Sequence, residues 1–368
     1  MPKGGNSMKF KQLISILSFF ILFVFVTSGC NLTDVLSGDV SITNSELTVS
    51  FIDVGQGDAT LIECGDQVML IDAGLYGERY TVTSYIANRG IKNIDYCVAT
   101  HPHSDHIGGM SQVIYNFNVK NLVHPICDKE KENMNYVLDA CDERDVNYIN
   151  PDIGDTFSLG GATVTVLSPK HKAEYENTNN YSLVLKLEYE NVSFLFMGDA
   201  ESKVEKELLR GGYDLSADIL KCGHHGSSTS SSEKFIDAVN PVAAVISCGK
   251  NNDYGHPHRE TKDNLNKRNI QIYRTDESSH IVACSDGDFV TFYSGDDVLG
   301  TAPANTHPAT APEETTVTYS YIGNKNSKIY HYPDCGSIDT IKEKNKVNFI
   351  SEDEAIDKGY SPCKACNP

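Results

Sequence analysis

Within six residues, His101-Pro102-His103-Ser104-Asp105-His106, the chain places three imidazoles and a carboxylate directly after the strand-like run Tyr96–Thr100. No other stretch constrains the chain as much. Alternate side chains of an extended segment point the same way. His101 and His103 can therefore offer two nitrogens to one metal ion. As the chain turns into a helix expected after Gly108, Asp105 and His106 can reach a second ion. Imidazole with carboxylate suits zinc, manganese or iron. The alternative is a His-rich surface turn.

The surrounding pattern supplies strands and helices in turn. Leu47, Val49 and Phe51 alternate with Thr48 and Ser50, and short apolar runs follow at Ala59–Ile62 and Val68–Ile71. Leu183–Leu187 and Val192–Met197 read as a hairpin across Glu190-Asn191. Helices are expected over Glu201–Leu209 and Arg259–Lys267, and strands over Asp218–Lys221 and Val242–Ser247. Strands in both halves with helices between them imply an α/β chain, two sheets face to face with helices outside.

Both ends stand apart from this body. Lys3, Lys9 and Lys11 precede the apolar run Leu13–Val26 and the small residues Thr27-Ser28-Gly29 before Cys30. That run is shorter than the ~20 residues of a spanning helix, and it reads as a secretory signal. The small residues ending in Cys resemble a bacterial lipobox, which implies a lipid on Cys30, a membrane anchor and an extracellular protein. An uncleaved anchor is the alternative. Residues 1–30 are thus the signal and lipobox, 31–45 a polar tether, and 46–298 the main domain. Thr, Ala and Pro dominate 299–318, an extended linker, and 319–368 form a second unit.

The sequence is similar to the metallo-β-lactamase superfamily, and within it to the ComEC-type competence-protein hydrolase domain. The carrying motifs stand in the family's order: Phe51-Ile52-Asp53-Val54-Gly55-Gln56-Gly57-Asp58-Ala59, Leu70-Ile71-Asp72-Ala73-Gly74, the His101–His106 hexapeptide, Asn179-Asn180-Tyr181-Ser182-Leu183-Val184-Leu185, Met197-Gly198-Asp199-Ala200, Leu220-Lys221-Cys222-Gly223-His224-His225-Gly226-Ser227 and Tyr254-Gly255-His256-Pro257. The resemblance implies a metallo-β-lactamase fold, a four-layer αββα sandwich, holding two divalent ions, zinc or manganese. It places His101 and His103 on the first ion, Asp105 and His106 on the second, and Asp199 between them. One of His224 and His225 completes the second site, with His224, nearer the strand, preferred. Asp72 orients the site from behind the ligands.

Most of that superfamily supplies a third His to the first ion. Here the segment reads Asn179-Asn180, with only His171 nearby, so an Asn such as Asn180 or water fills the place, and a harder ion such as manganese is favoured. Asp58, in the turn Gly55-Gln56-Gly57-Asp58, either reaches the metal centre or caps the turn. His256 fits substrate binding or proton donation, beside the reading of an ordinary loop His. Asp105, Asp58 and His256 are the catalytic candidates, with water activated by the metal pair attacking a phosphorus or carbonyl centre.

This implies a hydrolase of phosphodiesters, DNA foremost, with a phosphorylcholine-type esterase, a lactonase or a surface binding protein as alternatives. The formal charge of −19, from 50 acidic and 31 basic residues, argues against broad attraction to nucleic acid. Bound divalent metals can reverse that charge locally.

In the last unit, His331, Cys335, Cys363 and Cys366 suit a tetrahedral zinc site, which would help so small a unit fold. The segments around them resemble the metal-binding module of the Ada DNA-repair protein, implying one structural zinc. A disulfide is the alternative. The scattered Cys64, Cys97, Cys127, Cys141, Cys222, Cys248 and Cys284 read as small buried residues.

Overall fold

Along each central strand, successive residues enter two different cores. Met69 and Ile71 face one cluster while Val68 and Leu70 face another. Ala243 and Val245 likewise share the first cluster, while Ala244 and Ile246 join a third. A strand that is apolar on both faces must be covered on both sides, and this produces four layers. The computed structural model of the chain describes Met1 and residues 46–171, 173–304, 321–349 and 352–366.

The first sheet takes β1 (Leu47–Phe51), β2 (Thr60–Cys64), β3 (Gln67–Ile71), β4 (Asn93–Val98), β5 (Asn118–Val123) and β6 (Asn147–Ile149). The second takes β7 (Thr156–Leu159), β8 (Ala162–Ser168), β9 (Val184–Tyr189), β10 (Val192–Phe196), β11 (Ile219–Lys221), β12 (Ala243–Ile246) and β13 (Gln271–Arg274). The chain then returns to the first sheet with β14 (Ile281–Ser285), β15 (Phe289–Ser294) and β16 (Asp297–Pro303). The orders are β16-β15-β14-β1-β2-β3-β4-β5-β6 and β13-β12-β11-β10-β9-β8-β7.

Phe51, Phe194, Phe196 and Phe292 fill the space between the sheets. Each such buried ring stabilises the fold by about 1.5–3 kcal/mol. Helices α1 (Arg79–Asn88), α2 (Ser104–Ile107), α3 (Met110–Asn116) and α4 (Lys131–Glu143) lie in the half of the chain that builds the first sheet. Val82, Met110, Val113 and Val137 pack from α1, α3 and α4 onto its outer face. Helices α5 (Ser202–Gly211), α6 (Glu233–Val239) and α7 (Arg259–Asn266) cover the second sheet through Val204, Leu208, Phe235, Ile236 and Leu265. Helix α5 buries Val204 and Leu208, one turn apart, and stops at Gly212, whose φ of +70° suits a glycine.

The expected hairpin is present. β9 and β10 pair antiparallel, Tyr189 opposite Val192, across Glu190-Asn191. The helix expected after Gly108 is present at Met110–Asn116, and a further helical turn precedes it inside the metal motif at Ser104–Ile107. Gly108 and Gly109 also serve close approach: a Cβ on Gly108 would meet Tyr76 N at 2.5 Å, and one on Gly109 would meet Ala73 O at 2.3 Å. One expectation needs correction. The main domain runs past residue 298 into the expected linker. β16 extends to Pro303 and pairs with β15. As an edge strand it tolerates a proline that a central strand would not.

Residues 321–366 carry a four-stranded sheet, β19-β17-β18-β20, of β17 (Tyr321–Asn324), β18 (Ile329–His331), β19 (Lys346–Phe349) and β20 (Ser361–Pro362). It meets the main domain through Arg210, whose Nη2 donates to Asp334 Oδ2 at 2.7 Å and whose guanidinium lies 4.3 Å from the Tyr332 ring centre. Lys170 Nζ also pairs with Glu352 at 3.1 Å. The signal, lipobox Cys30, tether and most of the linker lie outside the described residues. Among the described residues no helix is long and apolar enough to cross a membrane, and the described cysteines form no disulfide.

Candidate metal centre

The functional loops follow the carboxyl ends of strands. β3, β4 and β5 run parallel, as do β10, β11, β12 and β13. Asp72 follows β3, His101–His106 follow β4, Asp199 follows β10, His224 and His225 follow β11, and His256 lies beyond β12. Parallel strands bring these ends to one rim, where sheets of this kind hold ligands.

Two donor groups result. His101, His103 and Asp199 form one, and Asp58, His106, Asp199 and His225 the other, with the donor atoms of each group within 4.8 Å of one another. Asp199 belongs to both. Its Oδ1 lies 3.2 Å from His106 Nε2 and 3.6 Å from His225 Nε2, and its Oδ2 lies 3.9 Å from His101 Nε2. Asp105 Oδ2 sits 3.3 Å from His225 Nε2, beside the second group.

The ligating faces are fixed from behind. His106 Nδ1 donates to Asp72 Oδ2 at 2.7 Å, and Asp72 is held in turn by Thr100 N and Thr100 Oγ1. His225 Nδ1 donates to Ser247 O at 3.1 Å. Because a carbonyl and a carboxylate accept, Nδ1 of both rings holds a proton, and Nε2, the atom turned toward Asp199, would offer its lone pair to a bound metal. Ser182 Oγ accepts from Asp199 N and lies 3.3 Å from His101 Nδ1.

The donors fit divalent cations by a direct observation. Asp58 Oδ1, His106 Nε2, Asp199 Oδ1 and His225 Nε2 are all buried, and none has a hydrogen-bond partner. Four such atoms in one cluster, two anionic oxygens and two imidazole nitrogens, are costly unless a cation meets them. The local field also attracts positive charge. Burial disfavours the His225 cation, yet Asp199 and Asp58 overcome it and push its pKa up to about 10. Burial works against the Asp199 carboxylate too, but His106 and His225 hold its pKa well below the usual range.

The structure separates residues the sequence left together. His225, not the preferred His224, enters the second group. Both have positive φ, 49° and 53°, and their rings reach different oxygens of Asp199: His225 Nε2 lies 3.6 Å from Oδ1 and His224 Nε2 lies 3.8 Å from Oδ2. His225 is buried, while His224 lines the pocket between Glu201 and Thr229. Asn180 also differs from expectation. Its Oδ1 accepts from Glu201 N at the start of α5, whereas Asn179 Oδ1 is buried, unpaired and part of the pocket wall. Asn179, and not Asn180, thus offers the amide oxygen of this segment to the pocket. His171 is exposed and does not line the pocket.

Asp58 is no mere turn cap. Its Oδ2 accepts from Lys221 Nζ at 2.7 Å while Oδ1 joins the donor group. Sequence reasoning assigned Lys221 no role of its own. A lysine at the end of the apolar run Ile219-Leu220 was the signal, since a buried lysine needs a partner. Gly57 is required beside it, because a Cβ there would lie 2.4 Å from Asp105 O. The pocket of about 290 Å³ is walled by Gln56, His103, Asp105, Glu130, Asn179 and Tyr254, among others. His256 lines it too, with its pKa pushed down to about 4 by burial and then by His225 and His224.

Residues 52–250 match the family model of the metallo-beta-lactamase superfamily. The chain belongs to that superfamily. Residues 313–368 match the metal binding domain of Ada, which begins ahead of the expected boundary at 319. The chain is 34% identical to ComE operon protein 3 of Bacillus subtilis, over 65% of this chain and 33% of that protein. It is 28% identical to competence protein ComA of Neisseria gonorrhoeae, over 65% and 32%. It therefore spans about a third of the length of these relatives. Among solved structures, the metallo-beta-lactamase fold protein YhfI from Bacillus subtilis aligns with a TM-score of 0.43 at 10% identity, covering 62% of this chain and 95% of that one.

In the Ada-type module, His331, Cys335, Cys363 and Cys366 place their donor atoms within 4.8 Å of one another. Zn–S bonds of about 2.3 Å would set tetrahedral edges of about 3.8 Å. Burial opposes the Cys363 thiolate, but the Cys366 and Ala365 amides and the Cys366 and Cys335 thiols favour it and lower its pKa. The thiolate is the metal-binding form.

Proposed function

We propose that this metallo-β-lactamase-fold hydrolase is a metal-dependent phosphodiesterase that cleaves DNA outside the cytoplasm, held at the bacterial membrane by a lipid on Cys30. The observation that carries the hydrolytic reading is the set of four unpaired buried donors that share Asp199 with His101 and His103. Divalent ions held there, zinc or manganese, would lower the pKa of water and offset charge growing on a phosphoryl group.

The chain's own groups do the rest. Asp72 and Ser247 fix the imidazoles of His106 and His225. Gln56 Nε2 lies 3.4 Å from His256 Nδ1 and donates to it, so Nε2 of His256 carries the proton and can meet a leaving oxygen. The competence relatives support DNA as substrate. One structural zinc in the Ada-type module completes the reading.

A second reading has an observation of its own. Among the described residues lining the pocket there is no lysine or arginine. A small phosphodiester, a phosphorylcholine-type ester or a lactone needs no basic surface. Cleavage of single-stranded DNA and of a small chromogenic phosphodiester, in manganese or zinc, decides between them. The DNA reading expects both to be cleaved, with Asp199→Asn slower by more than about 100-fold. Turnover of the small ester alone would overturn DNA as the substrate.

A further inference from the structure

We propose that Tyr254 is a stacking platform for an unpaired base, and that this aromatic face, in place of basic side chains, makes single-stranded nucleic acid the substrate class of the pocket. The inference rests on the phosphodiesterase reading and adds what selects the strand.

Tyr254 lines the pocket yet is 68% exposed. Its ring lies on the imidazole of His256, with centroids 5.6 Å apart and planes at 22°. His256 lies against one side of the ring, and most of the residue remains open to solvent. His256 is braced edge-on by His258 and His224, at 4.8 and 5.5 Å between centroids. Gly255, at a φ of +73°, turns the chain tightly enough for rings two residues apart to stack.

The backbone under the ring is tied down. Asn252 Oδ1 accepts from Tyr254 N at 3.2 Å and from His256 N at 3.0 Å, and Asn252 Nδ2 donates to Gly249 O and His256 O. His258 Nδ1 accepts from Ser228 N, leaving Nε2–H to donate to Tyr254 O at 3.1 Å. A ring held this way loses little entropy when a ligand settles on it.

The electrostatics make stacking the available means of recognition. The chain carries −19, and no lysine or arginine is found among the described pocket residues. Phosphate pairing, the usual source of nucleic-acid affinity, is therefore missing at the wall. Base–aromatic stacking is sequence-tolerant and is worth about 10- to 100-fold in affinity per base. In a duplex the base faces already cover one another, and exposing one has a cost. A single strand presents them freely.

The test uses the full metal-loaded chain and a single-stranded oligonucleotide with phosphorothioate linkages and one 2-aminopurine, whose fluorescence falls on stacking. Tyr254→Ala should weaken binding about 10- to 100-fold and abolish the fall. Tyr254→Phe should keep both, since stacking needs the ring and not the hydroxyl. Tyr80→Ala should match wild type, because Tyr80 is also well exposed, at 59%, but lies outside the pocket wall. A hairpin duplex should bind wild type no better than Tyr254→Ala does. Unchanged circular dichroism and metal content show that the variants fold. Wild-type binding with equal affinity in Tyr254→Ala, or failure of Tyr254→Phe to rescue, overturns the stacking role and leaves the phosphodiesterase reading standing. No binding of any strand by wild type overturns this inference, and loss of DNA cleavage with it overturns the DNA reading as well.

Discussion

Lys221 occupies a strand position that its neighbours Ile219 and Leu220 fill with apolar side chains, and it is buried with its ammonium 2.7 Å from Asp58. Burial disfavours its charge, yet Asp58 keeps it protonated. Removing one partner of such a pair strands the other charge, at a cost of about 3–5 kcal/mol. Lys221→Met should lose that much stability in chemical denaturation, and Asp58→Asn with Lys221→Met should recover most of it. Equal stability of the single and double variants would contradict the pairing. The motif residues were legible at this scale because their types state their chemistry: imidazoles and carboxylates at a strand end. What was not legible depends on backbone direction. Nothing in the letters His-His says that both residues take positive φ, so the strand-proximal His224 looked like the ligand. Asn179-Asn180 posed the same problem, and the hydrogen bond from Glu201 N to Asn180 resolves it.

Among the elements, strands were legible wherever short apolar runs were bounded by turn residues, and Glu190-Asn191 marked the β9–β10 hairpin. Glu190 adopts a φ of 50° there, a conformation costing a residue with a Cβ about 1–2 kcal/mol. Glu190→Gly should relieve part of that strain and raise stability by about 0.5–1 kcal/mol, read as a higher denaturation midpoint, once the entropy of glycine in the unfolded chain is included. A lower midpoint would show that Glu190 contributes contacts worth more than the strain. Other boundaries were hidden by tertiary demands. Gly108-Gly109 marked the start of α3 at Met110, but the extra turn of α2 ahead of them, at Ser104–Ile107, was not legible. The Thr/Pro-rich stretch looked like linker from 299, yet backbone pairing along a sheet edge needs no apolar side chains, and β16 uses it.

Across the whole molecule, the acidic chain and its metal-seeking pocket are consistent with one another. Carboxylates that repel a polyanion also attract divalent cations, and cations held at the proposed site would restore attraction there. The αββα layering was legible because both faces of the central strands are apolar, and the Ada-type module because three thiols and an imidazole share one short unit. The docking of that module through Arg210 and Lys170 was not, since single surface charges give no sequence signal. The central claim is a two-metal site completed by His225, with a third ion in the module. Metal equivalents per chain, measured by mass spectrometry after gel filtration, test it most directly. The account predicts three for wild type, three for His224→Ala and two for His225→Ala. Loss of an ion from His224→Ala while His225→Ala keeps all three would contradict it.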